Sequence, residues 1–105
     1  MKMVVYISDI DEKFLEEKIE ILKKNYGDKC VPVSPAFLPE PWRSDSESRL
    51  ELLSRCDALF IHHQNWNENM LCCLEYDLAR KLKIAIISSH DKLYWAYKRF
   101  KEKNS

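Results

Sequence analysis

Glycine is almost missing from this chain. Its 105 residues include one, Gly27, placed where a first helix should close. Net charge is missing too: 17 Lys and Arg balance 17 Asp and Glu, with no basic block outside the last helix. That balance argues against polymeric nucleic acid or an anionic membrane surface as a partner. There is no run of 18 apolar residues and no charged, apolar, small-residue leader. Neither a membrane span nor a signal peptide is therefore expected, and the expected location is cytoplasmic. The cysteines, at 30, 56, 72 and 73, lack zinc-like spacing and in a reducing compartment read as small buried hydrophobes. His62-His63 with Cys72-Cys73 does not assemble a metal site either. Neighbours in a strand point to opposite faces and neighbours in a helix lie about 100° apart, so at most one of each pair can converge. No metal and no other cofactor is expected. No repeat, linker or low-complexity segment divides the chain, so residues 1–105 are read as one domain.

What is present suffices for an ordinary core, with 46% hydrophobic residues and 11% aromatic ones. Met3 to Ile7 reads as a short apolar strand ending in Ser8 and Asp9, which can cap the helix that follows. Phe14 or Leu15, with Ile19, Leu22 and Tyr26, gives that helix its buried face. A second strand, Cys30 to Val33, contains Pro32; lacking an N–H for a ladder, it belongs at a sheet edge. A loop with Pro35, Pro39 and Pro41 and an exposed Trp42-Arg43 follows, long enough for a binding lid. Ser44 and Glu47 fit a capping box for a second helix that turns Leu50, Leu53 and Cys56 inward. Asp57 opens the third strand, Ile84 to Ile87 makes a fourth, and a last helix runs from about Asp91 to Lys103 with Leu93, Ala96, Tyr97 and Phe100 inside.

The stretch between the third and fourth strands organises the rest. Ala58 to Ile61 is a buried strand that stops abruptly in polar and aromatic residues, His62 through Asn69. Beyond it Leu71, Leu74, Leu78 and Leu82 recur at helical spacing and draw one apolar stripe. Glu75 falls on the stripe side, roughly 40° round from Leu71. A carboxylate facing the core is costly unless it is partnered, neutralised or used. Glu75 is therefore the residue to explain.

Strands alternating with helices predict an α/β single-domain, flavodoxin-like three-layer sandwich, with a parallel sheet covered on both faces. With the Pro32 strand at one edge beside the first, the strand order is 2-1-3-4 and the chain reverses direction between the first and third strands. Ligands of such sheets sit beyond the carboxyl ends of those two strands. Those ends offer Tyr6, Ser8 and Asp9 on one side and His62, Asn65, Trp66, Asn67 and Asn69 on the other, with Glu75 facing the same crevice.

Four segments carry a family likeness: "VVYIS", "LLSRCDALFI", "NWNENMLCCLEYDLARKLKIAII", and the proline-rich loop with its following helix. With a tyrosine ending the first strand (Tyr6), Asp57-Ala58 leading a hydrophobic strand, a tryptophan loop (Trp66) and a helical glutamate (Glu75), the chain resembles the nucleoside 2-deoxyribosyltransferase-like superfamily, among its short bacterial and phage members. The resemblance implies that Glu75 is the nucleophile that attacks the anomeric carbon of a deoxyribosyl group and that Tyr6 positions it. It also implies a nucleoside or nucleotide ligand and a homodimer or larger homo-oligomer. Tyr94 and Trp95, partly off the inner face of the last helix, fit such a subunit contact. The chain departs from the family pattern at Asp9-Ile10, where a Gly-Pro pair is usual, at Asn67 to Leu71, where a glycine turn is usual, and at Arg49, where a carboxylate is expected.

N-glycosidic cleavage passes through an oxocarbenium-like state that a carboxylate stabilises or traps while an acid protonates the departing base. Glu75 fits the first part and Asp9, at the neighbouring strand end, the second. Trp42 and Trp66 are suited to stacking on a base. Two functions follow: a nucleoside or nucleotide N-glycosidase or 2-deoxyribosyltransferase, or a catalytically inactive relative binding a nucleotide-like ligand or a protein partner in the same crevice.

Overall fold

A computed structural model describes residues 1–8, 12–39, 41–61 and 66–104. Four parallel strands, β1 (Met3–Ile7), β2 (Cys30–Val33), β3 (Ala58–Phe60) and β4 (Ala85–Ile87), form one sheet in the order β2-β1-β3-β4. The α-helices among the described residues are α1 (Glu12–Tyr26), α2 (Ser46–Ser54), α3 (Met70–Leu82) and α4 (His90–Lys103). The flavodoxin-like expectation and its strand order hold, and Pro32 lies on an edge strand. Because β2 and β3 flank β1 on opposite sides, right-handed crossovers send α1 and α2 to opposite faces.

Strand alternation divides the core accordingly. Met3, Val5, Ile7, Ala58 and Phe60 point into the layer with Leu15, Leu22, Leu93 and Ala96 of α1 and α4. Tyr6, Leu59 and Ile61 point the other way, against Leu53 of α2 and Cys72 and Ala79 of α3. Of the two candidates in the first helix, Leu15 is buried and Phe14 is exposed. Asp57 extends the β1–β3 ladder with its side chain: its N–H donates to the Val4 carbonyl, and its carboxylate accepts from the Val4 N–H, both at 2.8 Å.

Two local expectations are corrected. Asp45, not Ser44, caps α2, its carboxylate accepting from Ser48 N at 3.1 Å and Ser48 Oγ at 2.7 Å; the preceding 3-10 turn at Trp42–Ser44 shifts the helix start by one residue. The leucine stripe of α3 is not its buried face, since Leu74 is 39% and Leu82 49% exposed. Cys72, Glu75 and Ala79 face inward instead. The small side chains of Cys72 and Ala79 let α3 lie close on β3, and the helix is turned by roughly a quarter revolution from the leucine stripe.

Lys83 ends α3 in the left-handed region, φ 59° and ψ 33°, with Ile84 N–H donating to Ala79 C=O at 2.9 Å. Glycine adopts this conformation without a Cβ clash, which costs an L residue roughly 1–2 kcal/mol, while its greater freedom when unfolded offsets part of the gain. Lys83→Gly is expected to raise stability by about 0.5–1 kcal/mol in urea unfolding. A loss of stability contradicts this account of the helix end.

Burial pushes the thiols of Cys30 and Cys56 up to about 11 from their ordinary value of 9.0. Both are neutral when folded and titrate at lower pH when unfolded. Their contribution to stability is thus complete below pH 9.0 and lost as pH rises toward about 11. Urea midpoints measured across that window should fall, and fall less in a Cys30→Ala/Cys56→Ala protein. A slope unchanged by the substitutions excludes the thiols as its source.

Candidate functional site

The second-layer face of β1 ends in Tyr6 and Ser8, and α3 sets Glu75 directly against them. Asn69 starts α3 as its N-cap, its side-chain oxygen accepting from Leu71 N at 2.9 Å and Cys72 N at 3.2 Å. Glu75, three residues beyond the inward-facing Cys72, projects from the same face and is 1% exposed.

The cost of burying that carboxylate is met by three side chains. Arg49 of α2, itself buried, spans both oxygens, with Nη2 donating to Oε1 at 2.9 Å and Nε to Oε2 at 3.3 Å. The Tyr6 hydroxyl donates to Oε2, and the Ser8 hydroxyl donates to Oε1 at 2.8 Å. Each oxygen thus accepts two hydrogen bonds, filling the roughly four lone-pair positions of a carboxylate. Arg49 Nη2–Oε1 is a charge-assisted contact of ordinary length, and the two-point geometry is the kind arginine is suited to. Among the described residues, every buried side-chain nitrogen and oxygen has a partner.

Electrostatics fixes the protonation pattern. Burial, then the neighbouring Glu75 charge, drives the Tyr6 phenol well above its ordinary value, although Arg49 opposes this. Tyr6 is therefore a hydrogen-bond donor and a poor proton source. Burial works against the Arg49 charge, but Glu75 and Tyr6 beside it together outweigh that, and the guanidinium is held above its ordinary range.

Of the residues nominated from sequence, Glu75, Tyr6 and Ser8 meet. Asp9, His62 and Asn65 lie outside the described residues. Trp66 is half-buried and packs at a tilt of 32° against Tyr76, centroids 4.9 Å apart, so one side of its ring is already partly covered. Asn67 is exposed, and its carbonyl accepts from Cys73 Sγ at 3.2 Å. Trp42 is 53% exposed and lines a cleft of about 250 Å³ with Leu38, Leu52 and Arg55, a cleft that includes neither Tyr6, Arg49 nor Glu75. No group of three His, Cys, Asp or Glu side chains among the described residues is arranged to hold a metal.

Arg49 is the central residue that sequence reasoning missed. A signal existed: Arg49 stands four residues before the inward-facing Leu53 and so shares its side of α2. A core-facing carboxylate also calls for a cation of that kind. No helix among the described residues is long and apolar enough to cross a membrane. Comparison with family models, with curated proteins and with solved structures finds no match to this chain.

Proposed function

We propose that this domain binds a nucleoside- or nucleotide-like small molecule in the crevice between β1 and β3 without cleaving it, with Glu75 as the fixed floor of the crevice. The observation that carries the proposal is the saturation of the Glu75 carboxylate by Tyr6, Ser8 and Arg49. A nucleophile must direct a lone pair at the reacting carbon. Here every such position is occupied, and freeing one costs a hydrogen bond to a charged group, about 1.5–3 kcal/mol. The position of the ligand is argued from topology, since the chain reverses direction between β1 and β3. The class of ligand is argued from the resemblance to the nucleoside 2-deoxyribosyltransferase-like superfamily at Tyr6, Asp57-Ala58, Trp66 and Glu75. The reading includes a cytoplasmic location and self-association, the latter supported by the exposed Tyr94-Trp95 pair.

One observation favours a second reading, an N-glycosidase or 2-deoxyribosyltransferase with Glu75 as nucleophile. The Tyr6 hydroxyl sits on the Glu75 carboxylate, where the resemblance puts a positioning tyrosine. Catalysis then requires the ligand to displace the Ser8 or Tyr6 hydroxyl from the carboxylate.

A thermal-shift screen against nucleosides and their 5'-monophosphates, with free base measured in the same samples, tests both. Binding without cleavage raises the melting temperature, by about 2.7 kcal/mol of stabilisation at a hundredfold excess over Kd, and releases no base. Release of base by the wild-type protein, abolished in a folded Glu75→Gln protein, overturns the first reading in favour of the second. No shift and no release of base with any nucleoside or nucleotide removes both.

A further inference from the structure

The two edges of the sheet are built differently. β2 carries Pro32, which cannot donate to an added strand, whereas β4 at the other edge contains no proline. Ile61 N–H donates to Ile87 C=O at 3.0 Å, which turns the backbone groups of Ile87, and by alternation those of Ala85, toward β3. The N–H and C=O of Ile86 consequently face the open side. A groove of about 670 Å³ crosses the amino ends of the strands, from Met3 and Asp57 to Ile84, Ala85 and the edge residue Ile86. Arg80 and Lys83 line it from the end of α3, Arg99 and Lys103 from the end of α4, and Asp57 is the one side-chain carboxylate among its described lining residues.

We propose that the β4 edge docks an extended acidic segment of a partner protein, which adds a strand through Ile86 while its carboxylates meet Arg80, Lys83, Arg99 and Lys103. Strand addition of this kind takes its affinity from main-chain hydrogen bonds and its selectivity from flanking side chains. Charge selects the occupant. A second copy pairing through its own β4 would bring two such cationic sets together, and cations on an open edge oppose that self-pairing. The same cations attract an acidic chain. A nucleic-acid backbone also carries negative charge, but its phosphates offer acceptors only, whereas Ile86 presents both a donor and an acceptor in strand geometry.

The test uses the whole protein and a capped, fluorescein-labelled peptide of alternating glutamate and valine, read by anisotropy and by amide hydrogen exchange at Ile86. The expected result is saturable binding with exchange at Ile86 slowed about tenfold or more, and affinity weakened at least about tenfold in Arg99→Glu/Lys103→Glu. A matching peptide of lysine and valine should not bind. Should the double variant fail to melt cooperatively, Lys83→Glu serves in its place. Absence of saturable binding up to roughly 1 mM peptide, undiminished binding by the charge-reversed protein, or unchanged exchange at Ile86 overturns the proposal. Tighter binding of a single-stranded oligodeoxynucleotide than of the acidic peptide also overturns it, in favour of a nucleic-acid groove.

Discussion

Arg49→Ala is expected to lower the unfolding free energy by about 3–5 kcal/mol, because it strands the Glu75 carboxylate in the core without its counter-charge. A domain of this size has roughly 5–15 kcal/mol in all, so the variant should sit near the limit of folding at room temperature. The loss is large because the pair is doubly buried: Arg49 and Glu75 are both almost wholly inaccessible to water, and neither can recover hydration by a small movement. Arg49→Lys should restore little of it. An ammonium group is a point charge on a flexible stem and does not span both oxygens as the guanidinium does at 2.9 and 3.3 Å. Urea unfolding with an unchanged slope is the appropriate readout, and a cost below about 1 kcal/mol for Arg49→Ala contradicts the role given to the ion pair.

The second large effect is expected at Tyr6. Tyr6→Phe keeps the ring, which is fully buried in the second core layer, and removes only the hydroxyl that donates to Glu75 Oε2. A buried charged acceptor left short of one donor should cost about 1.5–3 kcal/mol. The same substitution in an Arg49→Met/Glu75→Leu background should cost almost nothing, since the hydroxyl then has no carboxylate to serve. Equal costs in the two backgrounds mean that the hydroxyl stabilises the fold by some other route.

Much of this arrangement was legible in the sequence, and the reasons are specific. Pro32 marked β2 as an edge and so fixed the strand order. The periodicity of the chain after Asn69 turned Glu75 inward, and the apolar run from Met3 to Ile7 brought Tyr6 to the same end of the sheet. What escaped was cooperative between distant segments. Arg49 was visible as a departure from the pattern of the superfamily that the sequence resembles, yet its partner lies 26 residues away and its burial depends on α2 and α3 lying side by side. The rotation of α3 escaped because four leucines outweigh Cys72 and Ala79 in any hydrophobic count. Packing nevertheless favours the face that lets the helix approach the sheet and lets Glu75 reach Arg49. Trp42 looked like a stacking residue because it is aromatic and exposed. Two 3-10 turns, Pro35–Phe37 and Trp42–Ser44, carry it instead to a cleft on α2.

The central claim is that Glu75 belongs to a closed polar cluster and is held there chiefly by Arg49. The most direct measurement is the coupling free energy between the two residues, from urea unfolding of the wild type, Arg49→Met, Glu75→Leu and the double variant. The account predicts that each single substitution is strongly destabilising, that the double variant regains stability to within about 1–2 kcal/mol of the wild type, and that the coupling is about 3 kcal/mol or more. Additive costs, with coupling below about 0.5 kcal/mol, would mean that the carboxylate is not engaged by Arg49 and is free for other work.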